Sequence, residues 1–76
     1  MELKTHLEEK DGKVKREGEE LARIAAEAGI SAYTLYMIAL GHKKASPALA
    51  GEIERATAGA VPRTALRPDI FGDLAA

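Results

Sequence analysis

The sequence lacks cysteine and tryptophan, and His6 and His42 are the only histidines among its 76 residues. Without cysteine, disulfides, thiol chemistry and cysteine-bound zinc are excluded. Two histidines are too few for an ordinary histidine metal site, so we expect no metal and no other cofactor. A metalloenzyme and a disulfide-rich secreted protein are therefore both disfavoured.

Long apolar segments are missing as well. No stretch approaches the roughly 20 apolar residues that span a bilayer, and residues 1–6 hold no apolar core like that of a signal peptide. We therefore expect a cytoplasmic protein without a membrane partner. Catalytic patterns are also lacking, because Ser31 and Ser46 lie at predicted helix starts rather than beside a candidate base, and we expect no enzyme.

The chain has almost no net charge, since 11 Lys and Arg residues face 12 Asp and Glu residues to give −1. Any contact with nucleic acid must therefore depend on a local surplus of positive charge. Residues 31–50 contain Lys43 and Lys44 and no acidic residue. This middle stretch is the one locally positive part of the sequence.

The sequence does show the pattern of an α-helical protein. Residues with branched β-carbons are few and no alternating run occurs, so we expect an all-α fold in one domain, residues 1–76. A first helix is predicted from residue 1 to about residue 9, and a second from about residue 16 to residue 28. The second has one apolar face formed by Leu21, Ile24, Ala25 and Ala28.

The remaining helices are predicted from their ends. Ser31 can cap a third helix that runs to Leu40, and Ser46-Pro47 can open a fourth that ends at Gly59. Pro62 and Pro68 bracket one short helix at residues 63–67. The tail, residues 60–76, is expected to dock on the core through Ile70, Phe71 and Leu74.

Residues 21–41 read as helix, glycine turn and helix. A small side chain, Ala25, lies where the two helices would approach each other most closely, and Gly29 can supply a left-handed backbone. Leu35 and Ile38 are predicted to fill the wedge between the helices. This spacing is typical of the DNA-binding helix-turn-helix, whose second helix enters the major groove.

Further motifs are spread over nearly the whole chain. They are Leu3-Lys4-Thr5, Ala25 with Gly29-Ile30-Ser31, residues 41–50, Ile53-Glu54-Arg55-Ala56-Thr57 and Leu66-Arg67-Pro68-Asp69-Ile70-Phe71. With these motifs the chain resembles the Cro-type phage repressors, and especially the YdaS-type antitoxin group of small prophage regulators. An alternative register with Glu20-Leu21-Ala22 as the motif's "Glu-Leu-Ala" places the glycine three residues late and is rejected.

The resemblance implies a compact lambda-repressor/Cro-like domain of four to five helices. It also implies a homodimer that binds a double-stranded DNA operator, as a repressor or antitoxin, with half-sites about 34 Å apart. The positions that would face DNA are Ser31, Ala32, Tyr33, Tyr36 and Met37. Phosphate contacts are expected from Lys43 and Lys44, with Lys13, Lys15 and Arg16 as further candidates.

The third helix departs from a usual reading helix, because its outward face carries Tyr33, Met37 and Leu40, flanked by Tyr36, instead of Arg, Lys, Gln or Asn. Three acidic residues, Glu17, Glu19 and Glu20, also lie where the second helix normally meets phosphate. An alternative function therefore stays open, in which the same apolar face binds a protein such as a toxin, a host factor or a second copy of the chain.

Overall fold

The computed structural model describes residues 1–71, which form six helices and contain no strand. They are α1 (Leu3–Asp11), α2 (Glu19–Ala28), α3 (Ala32–Ala39), α4 (Pro47–Ala56), α5 (Arg63–Leu66) and α6 (Pro68–Phe71). The all-α prediction is confirmed. The short helix predicted between Pro62 and Pro68 is α5, which ends because Arg67 leaves the helical region (φ −136°, ψ 68°) immediately before Pro68. The sequence did not predict α6, which begins at Pro68.

The start of α2 corrects the sequence prediction, since the helix begins at Glu19 and not near Arg16. Gly18 occupies the N-cap and has no side chain to bind the free backbone N–H groups. Asp11, at the end of α1, accepts them instead: the N–H of Glu20 lies 3.0 Å from Oδ1 and the N–H of Leu21 3.2 Å from Oδ2. A carboxylate on the preceding helix therefore sets where α2 starts.

The turn between α2 and α3 matches the prediction. Gly29 adopts a left-handed conformation (φ 75°, ψ 29°), and the N–H of Ile30 returns to the carbonyl of Ala25 at 3.0 Å. Ser31 caps α3 by accepting the N–H of Thr34 at 3.0 Å. The chain thus passes from one helix to the next through a tight, hydrogen-bonded turn.

The core lies around α2, which packs against α1, α3 and α4. Its largest fully buried side chains come from five parts of the fold: Leu7, Leu21, Ile24, Leu35, Ile53 and Val61. Ala25 is also buried and lies in the same cluster as Leu35 and Ile38, as its position in the motif predicts. The wedge residues of α3 therefore point inward, and the opposite side of this helix is left to form the surface.

The tail is fixed to the segment that follows α3. The Arg67 guanidinium donates to the carbonyl oxygen of Ala45 at 2.8 Å and pairs with the Asp69 carboxylate at 2.9 Å. Phe71 packs against the core as predicted. Ile70 is wrongly predicted to dock, since it is 45% exposed, and Leu74 lies outside the described residues.

Candidate nucleic-acid interface

Helix α3 presents an apolar, largely aromatic face to its surroundings. Tyr33 is 56% exposed and Leu40 37% exposed, while Met37 and Tyr36 are half-buried. Leu35 and Ile38 are buried on the other side of the helix. The inward and outward faces therefore agree with the helical wheel. Ala32 and Tyr36 pack partly against the core, and Tyr33 is the most exposed large side chain of the expected DNA-facing set.

The first turn of α3 has little hydrogen-bonding capacity left for a ligand. The Ser31 hydroxyl accepts the Thr34 N–H and lies 2.8 Å from the Thr34 hydroxyl oxygen. Ala32, the next residue, is half-buried and offers only a methyl group. Ser31 is exposed, but its hydroxyl is used to cap the N-terminus of α3.

The loop before α2 comes close to α3 through one pair of side chains. The guanidinium carbon of Arg16 lies 6.0 Å from the centre of the Tyr36 ring, within the range of a cation–π contact. Lys13 and Lys15 belong to the same loop, Lys13 exposed and Lys15 half-buried. Although Arg16 is outside α2, the structure thus brings one expected phosphate contact next to one expected DNA-facing residue.

A second group of cations lies beyond the other end of α3. Lys43 and Lys44 are exposed, and both line a groove to which α1 contributes Lys4. Lys4 was not predicted as a phosphate contact, because about 40 residues separate it from the other two lysines and only tertiary packing brings them together. Glu2 lines the same groove and partly offsets its positive charge.

Lys44 also has an acidic neighbour. The pKa of Asp69 is lowered to about 2, chiefly by its hydrogen bond with Arg67, and the nearby charge of Lys44 adds a smaller effect. Lys44 is therefore partly balanced by charge within the chain. Lys43, which has no such effect on Asp69, is the better position at which to test phosphate binding.

One of the three acidic residues at the start of α2, Glu20, is paired with other side chains of the chain. Glu20 contacts the His6 ring nitrogen Nε2 at 2.6 Å and accepts two bonds from Arg23, each of 2.8 Å. Its pKa is lowered to about 2, first by the Arg23 hydrogen bonds, against the opposing effect of burial, with His6 adding to the lowering. Glu17 and Glu19 remain exposed.

The same contact defines the role of His6. His6 is buried and joins α1 to α2 through Glu20. Arg23 bonds to Glu27 as well, so the cluster continues along α2. This ionic group is part of the framework that supports the α2–α3 unit.

The fold and the comparisons with known proteins together define a helix-turn-helix transcriptional regulator of prophage type. A family model described as bacterial toxin YdaS matches residues 13–75. A prophage transcriptional regulatory protein of Escherichia coli (strain K12) is 38% identical over 53 residues, which make up 70% of this chain and 80% of the relative. The chain belongs to the YdaS family. No solved structure matches it.

Two further observations concern membrane insertion and catalysis. Within residues 1–71, none of the helices is both long and apolar enough to cross a bilayer. The name of the relative points to regulation and the description of the family to a toxin, rather than to enzymatic catalysis.

Proposed function

We propose that the chain binds a double-stranded DNA operator as a homodimer, with α3 in the major groove, and thereby represses transcription. The observation that carries this proposal is the exposed face of α3 between two groups of cations. Arg16 lies over Tyr36 on one side, and Lys43 and Lys44 follow the other end of the helix. The regulator from Escherichia coli, by its name, supports the same function.

The residues divide into two roles. Phosphate contacts supply most of the affinity and fix the orientation of the helix, whereas contacts to base edges supply sequence choice. The proposed phosphate contacts are Lys43, Lys44, Lys15 and Arg16, with Lys4 added from the groove it shares with the two lysines. The proposed groove-facing residues are Ser31, Ala32, Tyr33, Tyr36 and Met37.

Repression follows from occupancy. A dimer places one copy of α3 in each of two half-sites about one helical turn apart, and the bound protein blocks access of the polymerase. Because affinity depends on released counterions, occupancy is expected to fall steeply as salt rises.

The test is a titration of fluorescent DNA from the region upstream of the chain's own gene, over a series of salt concentrations. We expect Lys43→Ala to weaken binding and to reduce the salt slope by about one. Lys10→Ala is the matched control, because Lys10 is exposed and lines a groove with residues of α1, α2 and α4 and none of α3. Absence of a complex even at about 50 mM salt would overturn the proposal.

A second candidate function is favoured by the exposure of Tyr33 on an apolar face. In this second function, α3 binds a protein, such as a toxin or a host factor, through Tyr33, Met37 and Leu40. Its expected result is a complex that forms without DNA, resists salt and is lost in Tyr33→Ala. A salt-sensitive DNA complex that Lys43→Ala weakens supports the first proposal instead.

A further inference from the structure

Residues 31–40 contain no side chain with an amide, a guanidinium, an ammonium or a carboxylate group. These are the groups with which proteins usually read base edges in the major groove by hydrogen bonds. The hydroxyls of Ser31 and Thr34 are bonded to each other at the helix start. If α3 enters the groove, it therefore arrives with very few free donors and acceptors.

The major groove offers one sequence signal that needs no hydrogen bond, which is the C5-methyl group of thymine. We propose that α3 selects thymine-rich operators by packing Tyr33, Met37 and Leu40 against these methyl groups. The inference rests on the proposed function and adds to it the chemical signal that is read. It also adds Leu40 to the residues that contact DNA.

The geometry of α3 fits this use. Tyr33, Met37 and Leu40 are four and three residues apart, so they form one stripe on the helix. Seven residues of helix rise about 10 Å, which is about three base-pair steps of about 3.4 Å each. The stripe is therefore long enough to meet the methyl groups of two or three neighbouring thymines.

The charges around the stripe indicate DNA rather than a protein as its occupant. Arg16 lies over Tyr36 beside the stripe, and Lys43 and Lys44 lie beyond its end. No acidic residue occurs between residues 31 and 50. Glu17 and Glu19 follow Arg16, and Glu2 lies in the groove of the two lysines, but cations outnumber these acids on each side. An apolar strip between two such surpluses complements a groove whose floor carries methyl groups and whose walls are phosphates.

The experiment begins with selection of bound duplexes from a random DNA pool by the full chain. The selected sequence is then made in two forms, one with thymine and one with uracil in its place, which differ only in the C5-methyl groups. We expect the uracil duplex to bind more weakly by about fourfold for each methyl contacted, the effect of exposing one buried methyl. Two or three contacts give a loss of about fifteenfold to sixtyfold.

Variants separate methyl reading from other effects of uracil. Tyr33→Ala and Leu40→Ala should weaken binding to the thymine duplex and bring the two affinities closer together, because the apolar partner is gone. Both positions are exposed, and circular dichroism melting checks that the fold is kept. Lys43→Ala should weaken binding to both duplexes equally and leave their ratio unchanged.

The outcomes separate the thymine inference from DNA binding itself. Equal binding of the two duplexes overturns the thymine inference and leaves DNA binding standing. An unequal ratio that no apolar variant changes also overturns it, because the difference then belongs to the DNA alone. Recovery of no duplex from the random pool overturns the proposed function itself.

Discussion

The Asp11 side chain occupies the space beside Gly18 in which a larger residue would place its Cβ atom, at the start of α2. A Cβ atom added to Gly18 would lie 2.3 Å from Asp11 Oδ2, the atom that accepts the N–H of Leu21. Gly18 has φ −64°, a conformation that any residue can adopt. A side chain at this position would therefore displace the capping carboxylate, so glycine is favoured here by the space that the carboxylate needs and not by the backbone angle.

The first prediction concerns this pair. Gly18→Ala should lower the free energy of unfolding by about 1–3 kcal/mol, because the new methyl displaces the carboxylate. Asp11→Ala should cost about 0.5–2 kcal/mol through loss of the cap. The double variant should be little worse than Asp11→Ala alone, since the clash has lost its partner. Urea denaturation measures all three, and additive costs would contradict the contact between position 18 and the Asp11 carboxylate.

The second prediction is a pH dependence carried by Glu20. Its pKa is about 2 in the folded chain, below the ordinary value of 4.5, because Arg23 and His6 bind the ionised carboxylate. The stabilisation is therefore complete above pH 4.5 and is lost as the pH falls toward 2. Glu20→Gln should be less stable at neutral pH by about 1.5–3 kcal/mol, the range for hydrogen bonds to charged groups.

The measurement for Glu20 is denaturant unfolding of the parent and of Glu20→Gln at a series of pH values. The difference between the two should shrink as the solution is made acidic. Glu19→Gln is the matched control, because Glu19 is an exposed neighbour on the same turn, and its difference from the parent should stay small. A constant difference for Glu20→Gln across the acid range would exclude the ionic pairing.

The third prediction tests the close approach of α2 and α3. Ala25 is 3% exposed and belongs to the core beside Leu35. Ala25→Leu should destabilise the chain by about 1–3 kcal/mol, because three extra carbon atoms have no room there. Ala26→Leu, on the exposed side of α2, is the control and should change stability little. Equal thermal melting of the two variants would show that the interhelix contact lies elsewhere.

The fourth prediction concerns a buried hydroxyl at the end of α4. The Thr57 hydroxyl donates to the carbonyl of Ile53 at 2.9 Å and accepts the N–H of Val61 at 3.1 Å. Thr57→Val keeps the shape but leaves the Val61 N–H without this partner, which should cost about 1–3 kcal/mol. Thr5→Val, at an exposed position, is the control. Hydrogen exchange at Val61 should rise in Thr57→Val, and an unchanged rate would refute this role.

Local sequence signals predicted most of the helices because these signals act over a few residues. Ser31, Ser46 and Gly29 mark helix ends through caps and a left-handed turn that depend on near neighbours alone. The start of α2 was not predictable in this way. Asp11, which caps it, belongs to another helix, and no local pattern shows that its carboxylate reaches across the loop.

The same distinction applies to the candidate interface. The outward face of α3 follows from helical period, and the structure exposes Tyr33 and Leu40 as that period requires. The groove shared by Lys4 and Lys43 and the burial of His6 against Glu20 depend on how α1 packs. Such contacts join residues far apart in the chain, so composition and spacing give no sign of them.

The central claim is that α3 is the part of the chain that enters DNA, and the absence of cysteine allows a direct measurement. Tyr33→Cys introduces the single thiol of the chain, to which an iron chelate that cleaves DNA is attached. Glu9→Cys, at an exposed position on α1, is the control. We expect cleavage from position 33 in two short tracts about one helical turn apart on the selected operator, and none from position 9. Cleavage of a bound operator that is equal from both positions, or absent from position 33, would contradict this placement of α3.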